Sequence, residues 1–509
     1  MTEFIIANMA PLMFGALVFF LLFGYPVAFA LAANGIVFGL LGMELGLLSG
    51  NLFQALPERI FGIMRNDTLL AIPFFTFMGL ILERSGMAED LLDTVGQLFG
   101  PIRGGLAYAV IFVGALLAAT TGVVAASVIS MGLISLPIML RYGYDRRVAS
   151  GVIAASGTLA QIIPPSLVLI IMADQLGRSV GDMYAGAFVP GLILTGLYTG
   201  YILLVTLFKP SMAPALPMEA RSLHGMKLVS RVLFSLVPPL VLIFLVLGTI
   251  FIGIATPTEG GAMGATGALI LALARRKLSW SLMRQAMDTT AKLSSFVVFI
   301  LVGSTVFGLV FRGVNGDLWV EHLLTGLPGG QLGFLIFVNI LMFVLAFFLD
   351  FFELAFILVP LLGPVAEKMG IDLIWFGVLL GVNMQTSFMH PPFGFALFYL
   401  RSVAPRTDYL DKVTGKQMAA VTTGQIYWGA VPFVIIQIIM VCLVVAFPGM
   451  VTDFLGRDKV IDASEIQIEL PQTDYGGGGG QYGGPGGQED GQPQGGMYGG
   501  PGASSGESK

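Results

Sequence analysis

Charge is what this sequence most lacks. Only 11% of its 509 residues are Asp, Glu, Lys or Arg, whereas a soluble globular chain carries about 25%. So few charges cannot cover a water-facing surface of this size, and a mean hydropathy of +0.86 points the same way. A soluble enzyme is excluded. A broad basic patch is also missing. The net charge is −5, and seven acids against one lysine after residue 460 leave the remainder close to neutral, which excludes nucleic-acid binding. Cysteine is almost absent. The single Cys442 lies in an apolar run, so there is no disulfide scaffold, and it reads as a small buried hydrophobe. Three scattered histidines give no metal constellation, so no metal beyond a coupling ion is expected. No GxxxxGK[ST] phosphate loop, HExxH or GxSxG pattern occurs, which argues against an ATP-driven pump and an intramembrane hydrolase. The N-terminus has no basic n-region and reads as a retained first helix.

What is present is a series of long apolar runs. About 20 residues span a bilayer, and candidate spans fall near 3–23, 26–48, 69–83, 148–173, 190–208, 232–253, 257–274, 293–311, 372–400 and 426–448. The chain is a polytopic, all-α membrane protein. Basic clusters at Arg141, Arg146 and Arg147, at Lys209 to Arg231, at Arg275 to Arg284 and at Arg401 to Lys416 all fall on one side when helices are counted singly. The positive-inside rule places that side in the cytoplasm, and the connection at 174–186 outside.

Two segments do not read as simple spans. Residues 104–140 have basic flanks at both ends and split at Ala119-Thr120-Thr121-Gly122. The simplest account is a hairpin that enters from the cytoplasm and turns back. Residues 332–369 have the same build, split at Asp350-Phe351-Phe352-Glu353, with their ends on the opposite face. Each hairpin precedes a span with a polar, proline-broken middle: Ser156 to Ser166 with Pro164-Pro165, and Asn383 to Pro392 with Pro391-Pro392. Adjacent prolines remove two backbone donors. Non-helical backbone at membrane depth survives only where it is buried in protein or lines a wet cavity.

These features recur. Thr76-x-x-Gly79-Leu80 and Thr305-x-x-Gly308-Leu309 are 229 residues apart, as are Thr121 and Asp350; Pro165 and Pro392 are 227 apart. The spacing predicts a duplication, with repeats near 69–208 and 293–448 in opposite orientations inside a core of 1–460. Inverted repeats with paired discontinuous helices point to a secondary transporter whose site lies at mid-membrane. Beyond the core, 461–509 is of a different kind: 476–506 holds 16 glycines in 31 positions, a composition that buries nothing and predicts a disordered tail.

The stretches AIPFFTFMGLILERSG, AATTGVVAASV, ASGTLAQIIPPS, GIATPTEGGAMGA, FLDFFELAFILVPLLGP and HPPFGFAL resemble the large membrane subunit of the tripartite ATP-independent periplasmic (TRAP) transporters over roughly residues 1–450. Two departures stand out. The family commonly reads TPPxG where this chain has Met389-His390-Pro391-Pro392-Phe393-Gly394, and the FLDFFE tip is bulky where small hydroxyl residues are common. The resemblance implies an elevator in the bacterial inner membrane. A transport domain of two hairpins and two broken helices would slide against a scaffold. Sodium would drive it, without an organic cofactor. A periplasmic binding protein would deliver an organic acid, and a small four-helix membrane subunit would brace the scaffold. The tail has no counterpart in that pattern. A stand-alone symporter or a channel is the alternative.

Candidate site residues follow from the breaks. A hard cation wants oxygens, which unwound carbonyls, hydroxyls and amides supply. The sodium set is expected among Thr120, Gly122, Ser156, Gly157, Thr158, Asn383, Gln385 and Thr386. The alternative is a proline kink without a ligand. Asp350 is a carboxylate inside an apolar segment, a functional candidate by default, although Asp also caps helices well. Glu353 either joins it or faces the interface. Arg312 could clamp a carboxylate or snorkel to the interface. Thr121, Ser166 and His390 complete the substrate set. His390 could contact substrate or be a structural imidazole bonded to a neighbouring carbonyl. Glu259 in Thr256-Pro257-Thr258-Glu259 reads as a helix start.

Overall fold

A computed structural model describes residues 2–121, 124–221, 223–411 and 413–455. With no water in the bilayer core, each spanning segment must satisfy its own backbone. Among the described residues the chain is accordingly helical, apart from a two-residue antiparallel ribbon, Tyr409–Leu410 against Gln417–Met418. Six helices are long and apolar enough to cross a membrane, or up to eight if two bent pairs each count as one. The Gly-rich tail at 461–509 lies outside the described residues.

Hydrogen bonds between loops sort the molecule into two ends. At the first, Arg84 donates to Gln285 (3.1 Å), Arg275 pairs with Asp90 (3.4 Å) and Arg141 with Asp411 (2.8 Å). The backbone N–H groups of Gly104, Asp145 and Leu216 reach Ala213, Met212 and Gly100, each at 2.9 Å. At the second end, Asn66 donates to Asp174 (2.6 Å), Thr258 to the Asp67 carbonyl (2.6 Å), and Arg178 pairs with Glu367 (2.8 Å). The first end gathers the Arg and Lys clusters, which the positive-inside rule places in the cytoplasm.

The elements run between these ends. The opening pair of each half is α1 (Met9–Leu22) with α2 (Val27–Glu44), and, in the second half, α9 (Gly225–Phe251) with α10 (Pro257–Ala274). Each half has a long arm: α3 (Ala71–Arg84) runs from the second end to the first, and α11 (Trp280–Gly313) runs the other way. Hairpin α4 (Gly105–Thr121) and α5 (Val124–Arg141) has both ends at the first end. Hairpin α12 (Gly330–Leu345), α13 (Phe351–Ile357) and α14 (Val359–Lys368) has both at the second. The broken span α6 (Arg146–Thr158) plus α7 (Leu167–Leu176) is antiparallel to α15 (Leu373–Gln385) plus α16 (Phe395–Val403). Each is followed by a closing helix, α8 (Val180–Phe208) or α17 (Thr423–Ala446).

The opening pairs cross over. α2 packs along α11 and α10 along α3, so each half grips the other half's arm. Glycines make this close: a Cβ on Gly303 would lie 2.4 Å from the Ala28 carbonyl oxygen, and one on Gly35 2.9 Å from that of Val306. Such small residues let membrane helices approach backbone to backbone. Each arm in turn supports its own hairpin. Ser130 of α5 donates to Glu83 of α3 (2.8 Å), and Ser304 of α11 donates to the Phe356 carbonyl of α13 (2.7 Å).

Two spans start ten or more residues before their apolar runs. α8 begins at Val180 rather than 190, and α11 at Trp280 rather than 293, because caps at Ser179 and Ser279 start each helix before the apolar stretch. Three short helices, Leu56–Met64, Met87–Phe99 and Gly316–Thr325, lack a spanning run. Cys442 is exposed on α17, not buried. Among the described residues it lines an apolar groove of about 590 Å³ with α12, and the lip residues Leu332, Ile336 and Ile340 are likewise exposed.

Candidate functional site

The two broken spans are built alike. Asp145 starts α6 by accepting from Arg147 N (2.8 Å), and the helix runs to Thr158. One 3-10 turn, Leu159–Gln161, follows. Pro164 and Pro165 cannot donate, and Ser166 restarts the helix. Its hydroxyl accepts from Val168 N (3.2 Å) and donates to the Gln161 carbonyl (2.5 Å). In the second span Asp372 starts α15 through Trp375 N (2.8 Å). That helix runs to Gln385, a 3-10 turn Thr386–Phe388 follows, and Pro391-Pro392 close the break. Gly394 is required here: its N–H meets the His390 carbonyl at 2.6 Å, and a Cβ would lie 2.5 Å from the Phe388 oxygen.

The breaks meet. Gln385 Nε2 donates to Thr158 Oγ1 at 3.2 Å, and both residues are fully buried. They are 227 positions apart, the spacing of Pro165 and Pro392, so each is the other's counterpart in the duplication. Around them Thr158, Thr386 and Ser387 donate their hydroxyls to the carbonyls of Ala155 (2.8 Å), Asn383 (2.6 Å) and Met384 (2.6 Å). Thr158 spends its acceptor capacity on the Gln385 amide, whereas the hydroxyl oxygens of Thr386 and Ser387 keep lone pairs to offer. Ser156 Oγ, Gln161 Oε1 and Gln385 Oε1 are buried without a hydrogen-bond partner. An unpaired buried acceptor costs roughly 1–3 kcal/mol, and a hard cation is satisfied by such oxygens. The donor set therefore fits sodium. Among the described residues no group of three or more His, Cys, Asp or Glu could hold a metal.

Each hairpin closes on one break. A Cβ on Gly114 of α4 would lie 2.6 Å from Ser156 Cβ, and one on Gly157 would lie 2.3 Å from Val128 of α5. On the other side Asn383 Nδ2 donates to the carbonyl and the side-chain oxygen of Asn339 on α12 (2.8 and 2.9 Å). The His390 ring stacks on Phe347 (centroids 4.4 Å, 12° between planes) and meets Phe343 edge-on (4.1 Å). Neither ring nitrogen has a partner. Aromatic packing, not a bond to a neighbouring carbonyl, holds this imidazole.

The remaining candidates disperse. Asp350 is the N-cap of α13: its carboxylate accepts from Phe352 N (2.8 Å) and Glu353 N (3.2 Å), while Asp350 N donates to Glu353 (3.0 Å). Glu353 also lines a cavity of about 300 Å³ between this tip, Tyr25 and Phe29 near the α1–α2 turn, and Phe296 and Phe299 of α11. Arg312 is exposed and lines a different cavity, of about 210 Å³, with Arg59, Asp174 and Ser304. No ion pair joins it to Asp350 among the described residues. Gly122 and the side chains of Thr120 and Thr121 lie outside the described residues. Glu259 completes a capping box with Thr256. Sequence reasoning passed over Asn339, Tyr198 and Gln437. Gln437 had left a signal, a single amide in the otherwise apolar run Val434 to Ala446.

Opposed hairpins, each closing on a broken helix of an inverted half, define a class: a multi-pass membrane carrier with its polar centre where the breaks meet. Residues 14–450 match the family model described as "Tripartite ATP-independent periplasmic transporter, DctM component", and the chain belongs to that family as a large permease subunit of the inner membrane. It is 30% identical over 406 residues to the C4-dicarboxylate TRAP transporter large permease protein DctM of Pseudomonas aeruginosa, covering 79% of this chain and 90% of that one. It is 28% identical over 384 residues to the sialic acid TRAP transporter large permease protein SiaM of Vibrio cholerae, covering 75% and 86%. The crystal structure of the Alcanivorax borkumensis YdaH transporter superposes with a TM-score of 0.53 at 15% identity, covering 80% of this chain and 91% of that one, a likeness of fold alone.

Proposed function

We propose that this subunit couples the inward movement of sodium to uptake of an organic carboxylate by an elevator mechanism. The observation that carries the coupling is the joined pair of breaks, where buried acceptors of Ser156, Gln161 and Gln385 have no protein partner. Sodium would be held at each break by that half's own hydroxyls, amides and unwound carbonyls, one ion to a break. Carboxylate is the substrate class because relatives are named for a C4-dicarboxylate and for sialic acid. The hairpins, broken spans and closing helices would move together against the opening pairs and arms. "Tripartite" and "periplasmic" in the family description support two partners, a small membrane subunit and a periplasmic substrate-binding protein.

The test is reconstitution of both membrane subunits in proteoliposomes, with radiolabelled succinate and sialic acid as probes. Uptake of one should require an inward sodium gradient and the binding protein. Equal uptake when choline replaces sodium removes the coupling. Full uptake without the binding protein favours a stand-alone symporter, and uptake that never saturates favours a channel.

A further inference from the structure

The contact between the breaks is part of a larger buried knot. Gln437 of closing helix α17 is fully buried, and its Nε2 donates to the Tyr198 hydroxyl of closing helix α8 (2.9 Å) and to Thr158 Oγ1 (3.5 Å). Thr158 Oγ1 also receives Gln385 Nε2 (3.2 Å). Four helices, α6, α15, α8 and α17, two from each half, are therefore tied together through the hydroxyls of Thr158 and Tyr198. The amide oxygens of Gln385 and Gln437 carry no partner, so the knot is held by donor groups aimed at Thr158 and Tyr198 alone. Its surroundings are apolar: Phe433 packs edge-on to Tyr198 (5.2 Å) and to Tyr201 (5.1 Å). A polar cluster in such a place is costly unless its geometry is kept.

The geometry points to Gln437 and Tyr198 as positioning residues that make the two breaks order together. This rests on the sodium-coupled reading above and adds residues outside its ligand set. Thr158 and Gln385 are the last α-helical residues before their breaks. An ion held at one break must fix the backbone leading into it. Through Thr158–Gln385 that also fixes the approach to the other break, and Gln437 with Tyr198 anchors the joint to both closing helices. A second ion then meets a site already ordered, so it binds more tightly than the first. Shared ordering of this kind produces positive cooperativity without any direct contact between ligands.

The experiment is equilibrium binding of radioactive sodium to the purified complex of both membrane subunits, with choline keeping the ionic strength constant. The wild type should bind sodium with a Hill coefficient above one. Gln437→Met keeps the length of the side chain and removes its donor. It should raise the half-saturating sodium concentration about fivefold, the low end of site-to-site coupling, and bring the Hill coefficient to about one. Tyr198→Phe, which removes only the hydroxyl that Gln437 reaches, should shift both in the same direction by less. A merely structural role would lower the yield of folded complex but leave the shape of the isotherm unchanged. Wild-type-like isotherms for folded Gln437→Met, or for Tyr198→Phe where the methionine variant does not fold, overturn the positioning role alone. A wild type that binds no sodium overturns the coupling reading and this inference with it.

Discussion

Asp350 occupies two backbone N–H groups at the start of α13 and receives Glu353 in return, so its carboxylate already has structural work. Asn caps a helix about as well as Asp, whereas Ala costs roughly 1 kcal/mol. Thermal unfolding in detergent should therefore leave Asp350→Asn near the wild type and lower Asp350→Ala. With the fold retained, Asp350→Asn isolates the charge: uptake in the proteoliposome assay is expected to fall sharply, and unchanged uptake would confine Asp350 to capping. A second carboxylate acts outside the membrane. Arg141 grips Asp411 through both Nε and Nη2, and that hydrogen bonding holds the Asp411 carboxyl well below the usual carboxylate range. A carboxyl lowered in the folded state stabilises above its unfolded value, about 4, and that stabilisation is lost only as pH falls towards the folded value. Proteolysis of the loop at 404–422 should be flat from about pH 8 to about pH 5 and quicken only in stronger acid. In Asp411→Asn it should already be fast at neutral pH.

Among whole elements, the tightest contact near the site joins α6 to α17. A Cβ on Gly151 would lie 2.1 Å from the Gly429 carbonyl oxygen, and one on Gly429 would lie 2.3 Å from that of Arg147. Backbone cannot swing aside as a flexible side chain can, so Gly151→Ala should destabilise by about 1–3 kcal/mol. Gly196→Ala, with no heavy atom within 4 Å, should be silent; unfolding of both variants in one detergent checks the pair. The breaks were open to sequence reading because paired prolines and the hydroxyl and amide residues before them act within a few positions of one another. The crossed opening pairs were not. Nothing in Val27 to Glu44 says that this helix lies along α11 rather than α3, since its own small residues find their partners only far along the chain, as Ala28 does in Gly303, 275 positions away. Arg312 and the Asp350–Glu353 tip show the same limit: both interrupt apolar stretches in sequence, yet Arg312 and Glu353 line different cavities.

At the scale of the whole molecule, the two ends make a labelling prediction. In a Cys442→Ser background, cysteines placed in 275–279 and in 405–411 should react with a membrane-impermeant thiol reagent only from the cytoplasmic side, and cysteines in 177–179 only from the periplasmic side. Reaction of 275–279 from the periplasm would overturn the orientation. The helical, multi-pass architecture and the duplication could be read from apolar runs and from spacing; the joint between the halves could not, because it depends on which two side chains face each other at the crossing. That joint has a consequence for descent. Two identical halves would set hydroxyl against hydroxyl or amide against amide at the central crossing. Here one half supplies Thr158 as acceptor and the other Gln385 as donor. The pair also matches a short side chain with a long one, so a chain rebuilt from two copies of the first half would set threonine against threonine, too short to meet across the same gap, and should lose the contact at its centre even though every helix in it is native.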